Sequence, residues 1–379
     1  QKVIVSLFRE HNNTAMVEEP GSNDTCRIVA GVWKRLWEED PLGDSEGADR
    51  DTLVLWTQTP CGLYVDLRLP KESPGQSLAA AARAGYVPNP QSISADGMDA
   101  YTYARQGDVD IFMKQKSFAG RHLQVSPGDT TSSGEALTND TVLADLASDS
   151  DAAIPLCTCF WKRDIDYQPP SGGLDIGVCA SASPLESDGK VDLRETGDDA
   201  SYAEGWRRLA GTNDGPFVAL ELIEENGKSR KGFWAVTGNR FAYAVGRPEK
   251  VTSVIGSASK SPGIQDCVGM SLPIALEYIL GSDETNTNKL ALAWSYCGVA
   301  GTISGSDQWT IEQSINPNLV GCDLIEGKSS TKKACSYLTQ ATACDDTIDQ
   351  VLIDDNSSNK TVRRWKIVEI SAGFEMPFR

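Results

Sequence analysis

Apolar and polar residues alternate in many short segments of this chain, and the segments are rich in β-branched and aromatic residues. Glycine, proline, asparagine and aspartate bound them, as is typical of short antiparallel strands. They span residues 28–37, 52–59, 62–70, 157–167, 174–181, 190–196, 202–209, 216–225, 231–238, 239–247, 290–301, 308–315 and 363–370. Long helical patterns are scarce, and 272–280 is the best candidate helix. The pattern predicts a mainly β sandwich or barrel rather than alternating β and α units.

The length of the chain predicts more than one domain. Its 379 residues are too many for one small core and suit two domains. We place the boundary within 210–215 (AGTNDG), so the domains are 1–210 and 211–379. Tryptophan-bearing strands occur on both sides: Trp33, Trp56, Trp161 and Trp206 before it, and Trp234, Trp294, Trp309 and Trp365 after it. Two β modules of similar design are therefore expected, with a tight hairpin turn at TGN (237–239) in the second.

Three polar stretches interrupt the strand pattern. Residues 71–110 and 126–154 are predicted to be insertions in the first domain, with short helices at 78–84 and 141–147. Residues 326–361 are predicted to be a loop that can include one helix in the second domain. Such insertions could carry a surface for a partner protein.

Acidic residues outnumber basic ones, 53 to 35, which gives a formal net charge of −18. Such a surface repels phosphate backbones and anionic lipids, so we expect no nucleic-acid partner. The chain has no apolar run of about 18 residues, so we expect no membrane insertion. No signal peptide is visible at its start. The compartment stays open: the cytoplasm is slightly favoured, and an organelle fits if a presequence has been removed.

The cysteines and histidines do not form a recognisable metal motif. Ten cysteines are irregularly spaced without a CxxC pair, and there are two histidines. Cys157 and Cys159 would point to one face of a strand, which suits two buried thiols better than a bridge between them. Cys179 is likewise expected to be buried, and His122 to lie on a strand surface. A zinc site would need thiolates from distant segments, so we expect no metal and no cofactor.

Several motifs resemble one protein family. They are DTLVLWTQTPCGLYVDLRLP (51–70), FAG (118–120), TCFWKRDIDYQPPSGGLDIG (158–177), YAEGWRRL (202–209) and GPFVALEL (215–222). In this order they are similar to the HRI-type proteins, fungal and bacterial proteins built as two lipocalin-like barrels. The resemblance implies two tandem lipocalin-like antiparallel β-barrels with helical or loop insertions. It also implies protein interaction, without an established catalytic activity.

Three polar rows supply a candidate ligand site in the first barrel. Alternation places Tyr64, Asp66 and Arg68 on one face of a strand, opposite a row of leucines and valine. The complete candidate set comprises Trp56, Tyr64, Asp66, Arg68, Trp161, Arg163, Asp166, Tyr202 and Glu204. These rows could line a pocket for a polar or anionic small molecule, make charge pairs on the outside, or form a buried ion-pair network. The sequence leaves all three arrangements open.

Catalytic motifs are absent from the sequence. It has no G-x-S-x-G, no P-loop, no dinucleotide fingerprint and no H-E-x-x-H. A pair such as Asp66 and Glu204 could do acid–base work only if the two carboxyls met. We therefore predict no catalytic residues and a non-enzymatic binding or scaffold protein that contacts protein partners. The alternatives are a small-molecule carrier that uses the first barrel, and a lyase or isomerase acting on a bound molecule.

Overall fold

The computed structural model describes the strands, the helix and parts of their connections. The described residues are 29–39, 52–70, 113, 115–125, 155–170, 175–181, 191–197, 202–212, 215–248, 266–281, 289, 292–293, 295–304, 308–316, 319–324, 337–342, 347–353 and 360–371. Within them, the chain forms antiparallel strands and one helix that spans more than two turns. No helix in this part is long and apolar enough to cross a membrane.

The first eight strands form a closed antiparallel barrel. They are β1 (Gly31–Glu39), β2 (Thr52–Gln58), β3 (Leu63–Pro70), β4 (Lys116–Val125), β5 (Pro155–Asp166), β6 (Ile176–Ser181), β7 (Leu193–Gly197) and β8 (Ala203–Arg208). Each strand pairs with the next, and β8 returns to pair with β1. Closure pairs every backbone edge, which an open sheet cannot do.

The remaining strands form a second antiparallel sheet. They are β9 (Phe217–Glu225), β10 (Lys228–Ser229), β11 (Gly232–Thr237), β12 (Arg240–Val245), β13 (Cys297–Ser304), β14 (Gln308–Ser314), β15 (Tyr337–Thr342), β16 (Thr347–Ile353) and β17 (Lys360–Ile370). Their order is β14-β13-β12-β11-β9-β17-β16-β15, and β10 pairs with β9. Helix α1 (Leu272–Leu280) lies between β12 and β13 in the chain. The last strand of the barrel ends at Arg208, and the first strand of the second sheet begins at Phe217.

The second sheet curls around its own aromatic core. Trp234 on β11 lies 5.8 Å from Trp309 on β14 and 5.7 Å from Trp365 on β17, measured between ring centroids. Strands β11 and β14 are three places apart, which is about 14 Å in a flat sheet. The rings can meet only because the sheet bends toward the face that carries them. This module is therefore a half-barrel with its core on the concave side.

The two modules share a core. The outward residues of β3, among them Leu63, Val65 and Leu67, pack in one cluster with Phe233 of β11 and with α1. The second sheet meets the barrel through a row of small residues, which allows the backbones to approach closely: Ala219, Ala235, Ala242, Ala244 and Ala300. Helix α1 adds Leu272, Ala275, Leu276 and Ile279 to the cluster. The outer surface of the barrel is thus apolar and buried where the second sheet and α1 cover it.

The mainly β fold class with two tandem barrel-like modules is confirmed. The helix at 272–280 and the TGN hairpin are also as predicted, since Thr237 pairs with Arg240 around a turn with Gly238 at a φ of 60°. The prediction of a loop over 326–361 is wrong, because β15 and β16 lie there. Their alternation is short and set among polar residues, so it resembles a loop. The insertions at 71–110 and 126–154 lie outside the described residues.

Candidate ligand site in the first barrel

The polar row of β3 faces the inside of the barrel. Tyr64 is fully buried and Asp66 is 3% exposed, and Tyr64 belongs to the interior cluster. The alternate residues of β3 face outward but are buried too, because the second sheet covers them. The arrangement with outside charge pairs is therefore wrong for Tyr64, Asp66 and Arg68. Both faces of β3 are buried, one in the barrel interior and one against the second sheet, and this is why the strand has a regular polar row and a regular apolar row.

An aromatic layer fills the middle of the barrel. The ring centroid of Trp56 lies 5.6 Å from that of Trp206 and 6.1 Å from that of Trp161, both in edge-to-face geometry. Gly177 leaves room for this layer, since a Cβ there would come 3.1 Å from the Trp161 ring. The tryptophan side chains of β2, β5 and β8, which are not neighbouring strands, thus contact one another inside the barrel.

His122 belongs to this layer, contrary to the sequence expectation of a surface position. It is 1% exposed, and its ring stacks on Trp161 at 5.4 Å between centroids. Its Nδ1 lies 2.8 Å from Nε2 of Gln58. Burial lowers the pKa of His122 to about 4, so the imidazole is neutral at physiological pH. The sequence could not place it, because β4 lies outside the alternating segments.

A chain of guanidinium and carboxylate groups lies beside the tryptophans. Arg68 donates hydrogen bonds to Asp66 Oδ1 and to Glu204 Oε1, both at 3.1 Å. Arg35 donates to the same Glu204 oxygen at 2.6 Å. Asp66 and Glu204 thus meet only through the guanidinium of Arg68. Burial raises the pKa of Asp66, with Arg68 opposing the change.

A second set of charges lies where β5 ends and β6 begins. Arg163 donates to Asp175 Oδ2 at 2.7 Å and 2.9 Å, and to Asp166 Oδ2 at 3.3 Å. Its guanidinium lies 3.8 Å from the centroid of the Phe118 ring. The side chain of Arg163 is one-third exposed, so this group borders the solvent. Asp175 is not among the residues predicted from the sequence, because it precedes β6 and approaches Arg163 only through the pairing of β5 with β6.

Glu195 is a second carboxylate that the sequence analysis missed. It lies on β7 directly opposite Glu204 of β8, and both side chains point inward. Tyr202 Oη donates a hydrogen bond to Glu195 at 3.0 Å, and Glu195 forms no ion pair with any described residue. Burial and the nearby Glu204 raise the pKa of Glu195 well above its usual range. The shared parity with Leu193, a core residue, is the signal that could have identified it.

These groups surround a small cavity. Its volume is about 20 Å³, and it is lined by Trp56, Tyr64, Asp66, Arg68, Phe118, Trp161, Asp175, Glu195 and Trp206. A void of this size holds one or two water molecules rather than a drug-sized ligand. The predicted residues Trp56, Tyr64, Asp66, Arg68 and Trp161 all line it. The other predicted residues, Arg163, Asp166, Tyr202 and Glu204, bond to the lining or to each other around it.

Three of the lining side chains have polar atoms without a hydrogen-bond partner among the described residues. They are Oη of Tyr64, Nε1 of Trp56 and Nε1 of Trp206. All three residues are at least 98% buried. Most buried polar groups in proteins have a hydrogen-bond partner, so these atoms are the groups of the lining to which a bound molecule would bond. Each of these atoms can donate a hydrogen bond, so a hydrogen-bond acceptor is the group that complements all three.

Comparisons with known proteins do not assign a family. No family model matches the chain, and no curated protein is similar to it. The crystal structure of the uncharacterized protein YLR301w from Saccharomyces cerevisiae is similar, with a TM-score of 0.41 and 10% identity. The match covers 90% of this chain and 98% of that one. A likeness at this level carries no argument, so the resemblance to the HRI-type proteins stays a prediction.

Proposed function

We propose that this protein is a non-enzymatic binding protein whose first barrel holds a small neutral polar molecule, or the carbonyl or hydroxyl end of a larger one. The observation that carries the proposal is the group of three unpaired, buried donors around one cavity: Tyr64, Trp56 and Trp206. A carbonyl or hydroxyl oxygen would accept from them. The surrounding aromatic rings would exclude water from the bond.

The charges around the cavity favour a neutral ligand. Arg68 is the guanidinium in the lining, and Asp66 and Glu204 already neutralise it. An anion would therefore gain no unpaired positive charge, and it would lie near Asp175 and Glu195. A cation would leave the three donors unpaired. A neutral acceptor satisfies the donors at no cost in buried charge.

The cavity volume limits what enters. About 20 Å³ admits a group of a few atoms, whereas a typical site for a drug-sized molecule measures about 300–1,000 Å³. This excludes a lipid or pigment deep in the barrel as the side chains stand. The partly exposed Arg163 and Asp175 lie on the side from which a larger molecule would project into solvent.

Indole resonances of ¹⁵N-labelled protein test the proposal directly. We would titrate formamide, formate and methylammonium, which are similar in size and differ in charge, and assign the resonances with Trp56→Phe and Trp206→Phe. Saturable shifts of both Nε1–H signals by formamide, at millimolar concentration and without a comparable response to the two ions, are the expected result. Shifts with formate alone, or no shift at all, would overturn the proposal.

Conservative variants separate binding from packing. Tyr64→Phe removes one hydroxyl and should weaken formamide binding severalfold, because a neutral hydrogen bond contributes about 0.5–1.5 kcal/mol. Trp234→Phe is the matched control, since Trp234 is a buried tryptophan with an unpaired Nε1 in the second module. It should leave the shifts unchanged. If Tyr64→Phe binds like the wild type, the hydroxyl is not part of a site.

A further inference from the structure

Three cysteine thiols converge inside the first barrel. Cys157 and Cys159 lie on β5, and Cys179 lies on the neighbouring strand β6. The sulfur of Cys159 lies 3.1 Å from that of Cys157 and 3.9 Å from that of Cys179. All three sulfurs are within 4.8 Å of one another, and all three residues are buried.

Strand geometry explains the convergence. Residues two apart on a strand share a face, which puts Cys157 and Cys159 side by side. Cys179 is the direct partner of Cys157 in the antiparallel register, so its side chain rises on the same face. The expectation that thiolates must come from distant segments is therefore wrong for this group. A neighbouring strand supplies the third sulfur.

The distances suit one metal ion. A zinc–sulfur bond is about 2.3 Å long, so sulfurs around one ion lie about 3.8–4.0 Å apart. The Cys159–Cys179 separation already has that value and the Cys157–Cys159 separation is shorter, so small rotations about the Cα–Cβ bonds would bring all three sulfurs to it. The cluster lies near the start of β5 and near the end of β6, and it borders the cavity, because Trp161 of β5 and Glu195, the strand partner of Cys179, both line that cavity. None of the three cysteines belongs to the cavity lining, so the cluster is distinct from the candidate ligand site.

The thiols also polarise one another. Hydrogen bonds from Cys159 and Cys179 lower the pKa of Cys157, so it is the first of the three to ionise. Burial raises the pKa of Cys159, and the bond to Cys157 raises that of Cys179.

We propose that Cys157, Cys159 and Cys179 bind one thiophilic metal ion, Zn²⁺ or Cu⁺, as three thiolates. The metal ion replaces the thiol protons, and these protons are released to solvent. Soft thiolate ligands select these ions over Mg²⁺ or Ca²⁺. Among the described residues, the three cysteines are the donor group close enough to share an ion. Three sulfurs satisfy Cu⁺, whereas Zn²⁺ would add a water as its fourth ligand.

Metal titration of the reduced, metal-free protein tests the site. We would titrate Co²⁺ as a visible substitute for Zn²⁺, and measure Zn²⁺ and Cu⁺ by competition with chromophoric chelators. One ion per chain, thiolate-to-cobalt absorption and proton release are expected. Tighter binding of Zn²⁺ or of Cu⁺ identifies the ion. Absence of stoichiometric binding by both ions would overturn the proposal.

Single substitutions locate the ligands. Cys159→Ser and Cys179→Ser should weaken binding by more than the about 10–100-fold that outer-shell changes cost. Cys61→Ser is the matched control, because Cys61 is exposed, and it should bind like the wild type. Unchanged affinity in both buried variants would assign the metal to other thiols and refute the site.

Wild-type measurements keep the test decisive if a variant does not fold. The melting temperature of the wild-type chain should rise with metal concentration, because the ion binds only the folded site. Limited alkylation and peptide mapping should show protection of Cys157 on metal addition. A disulfide among the three cysteines in freshly isolated, thiol-blocked protein, with no metal effect after reduction, would instead contradict the proposal.

Discussion

Single residues in the barrel interior carry much of its electrostatic character. Glu195 is a buried carboxyl whose described partner is a phenol, not a base. Because its pKa is raised, the folded protein holds a proton that the unfolded chain releases at lower pH. Stability is therefore lost as the pH rises from the ordinary glutamate range through the raised pKa. Below that range Glu195 is protonated in both the folded and the unfolded state, so it causes no pH dependence of the free energy of unfolding.

Glu195→Gln should stabilise the protein at pH 8 and leave it unchanged near pH 4. The amide keeps an acceptor for Tyr202 and removes the cost of a buried charge, so we expect a gain of about 1 kcal/mol or more. Urea unfolding at the two pH values measures it. Glu312→Gln, an exposed carboxyl on β14, should show no such dependence. An equal effect of Glu195→Gln at both pH values would contradict the assigned cause.

The sequence predicted the candidate residues better than their partners. The period-two pattern of β3 correctly grouped Tyr64, Asp66 and Arg68, since parity is a local property. Asp175 and Glu195 were missed because their roles depend on which strands are neighbours around the barrel. His122 was misplaced because β4 lies outside the alternating segments. Pairing between strands is set by closure of the whole barrel, and no single segment encodes it.

At the level of elements, one buried ion-pair group joins the hairpin of β9 and β10 to the long strand β17. Glu225 at the end of β9 accepts hydrogen bonds from Arg230 and from Arg363 of β17. Arg363 also donates to the hydroxyl of Tyr243 on β12. Burial opposes ionisation of Glu225, but the two guanidinium groups outweigh it and lower its pKa to about 2.

Glu225→Gln should destabilise the protein by about 3 kcal/mol at pH 7, because it leaves two buried guanidinium groups without a counter-charge. The folded pKa lies below the unfolded one, so the contribution is complete above about pH 5 and is lost as the pH falls toward 2. Denaturant unfolding between pH 2 and 7 measures this convergence. Glu224→Gln, on the same strand in a surface pair with Arg364, should cost less than about 1 kcal/mol. Parallel pH curves for wild type and Glu225→Gln would refute the prediction.

Elements with strong alternation were predictable, and those set among polar residues were not. The hairpin of β11 and β12 and the helix α1 followed from local signals. Strands β15 and β16 did not, because β16 gains its place by pairing with β17 along its length. The predicted strand at 290–301 begins only at Cys297. The roles expected for the insertions at 71–110 and 126–154, including a protein-partner surface, stay predictions.

At the scale of the molecule, a buried arginine joins the two modules. Arg247 follows β12 and donates to the carbonyl oxygens of Leu292 at 3.1 Å and of Asp166 at 3.3 Å. Its guanidinium lies 4.9 Å from the ring centroid of Tyr167, at the end of the barrel. Tyr296 donates a further bond across the boundary, to Ser117 of β4 at 2.9 Å. Polar and apolar contacts therefore both cross the join.

Arg247→Met should destabilise the whole chain by about 2–3 kcal/mol, because buried carbonyl groups lose a charged donor. Both modules should unfold together, since their core is shared. Urea unfolding followed by tryptophan fluorescence and by circular dichroism measures both points. Arg240→Met, which breaks an exposed pair with Glu312, is the control and should cost less than about 1 kcal/mol. Separate unfolding steps in the wild type would contradict a common core.

The apolar outer wall of the closed barrel has a consequence for how such a protein can be inherited. A barrel sealed by its own hydrogen bonds is usually a transferable unit, which genetic exchange can move into a new context. Here such a transfer would expose Leu63, Val65 and Leu67 to water. A gene fragment that encodes either module alone would therefore yield a protein with part of this common core exposed to water.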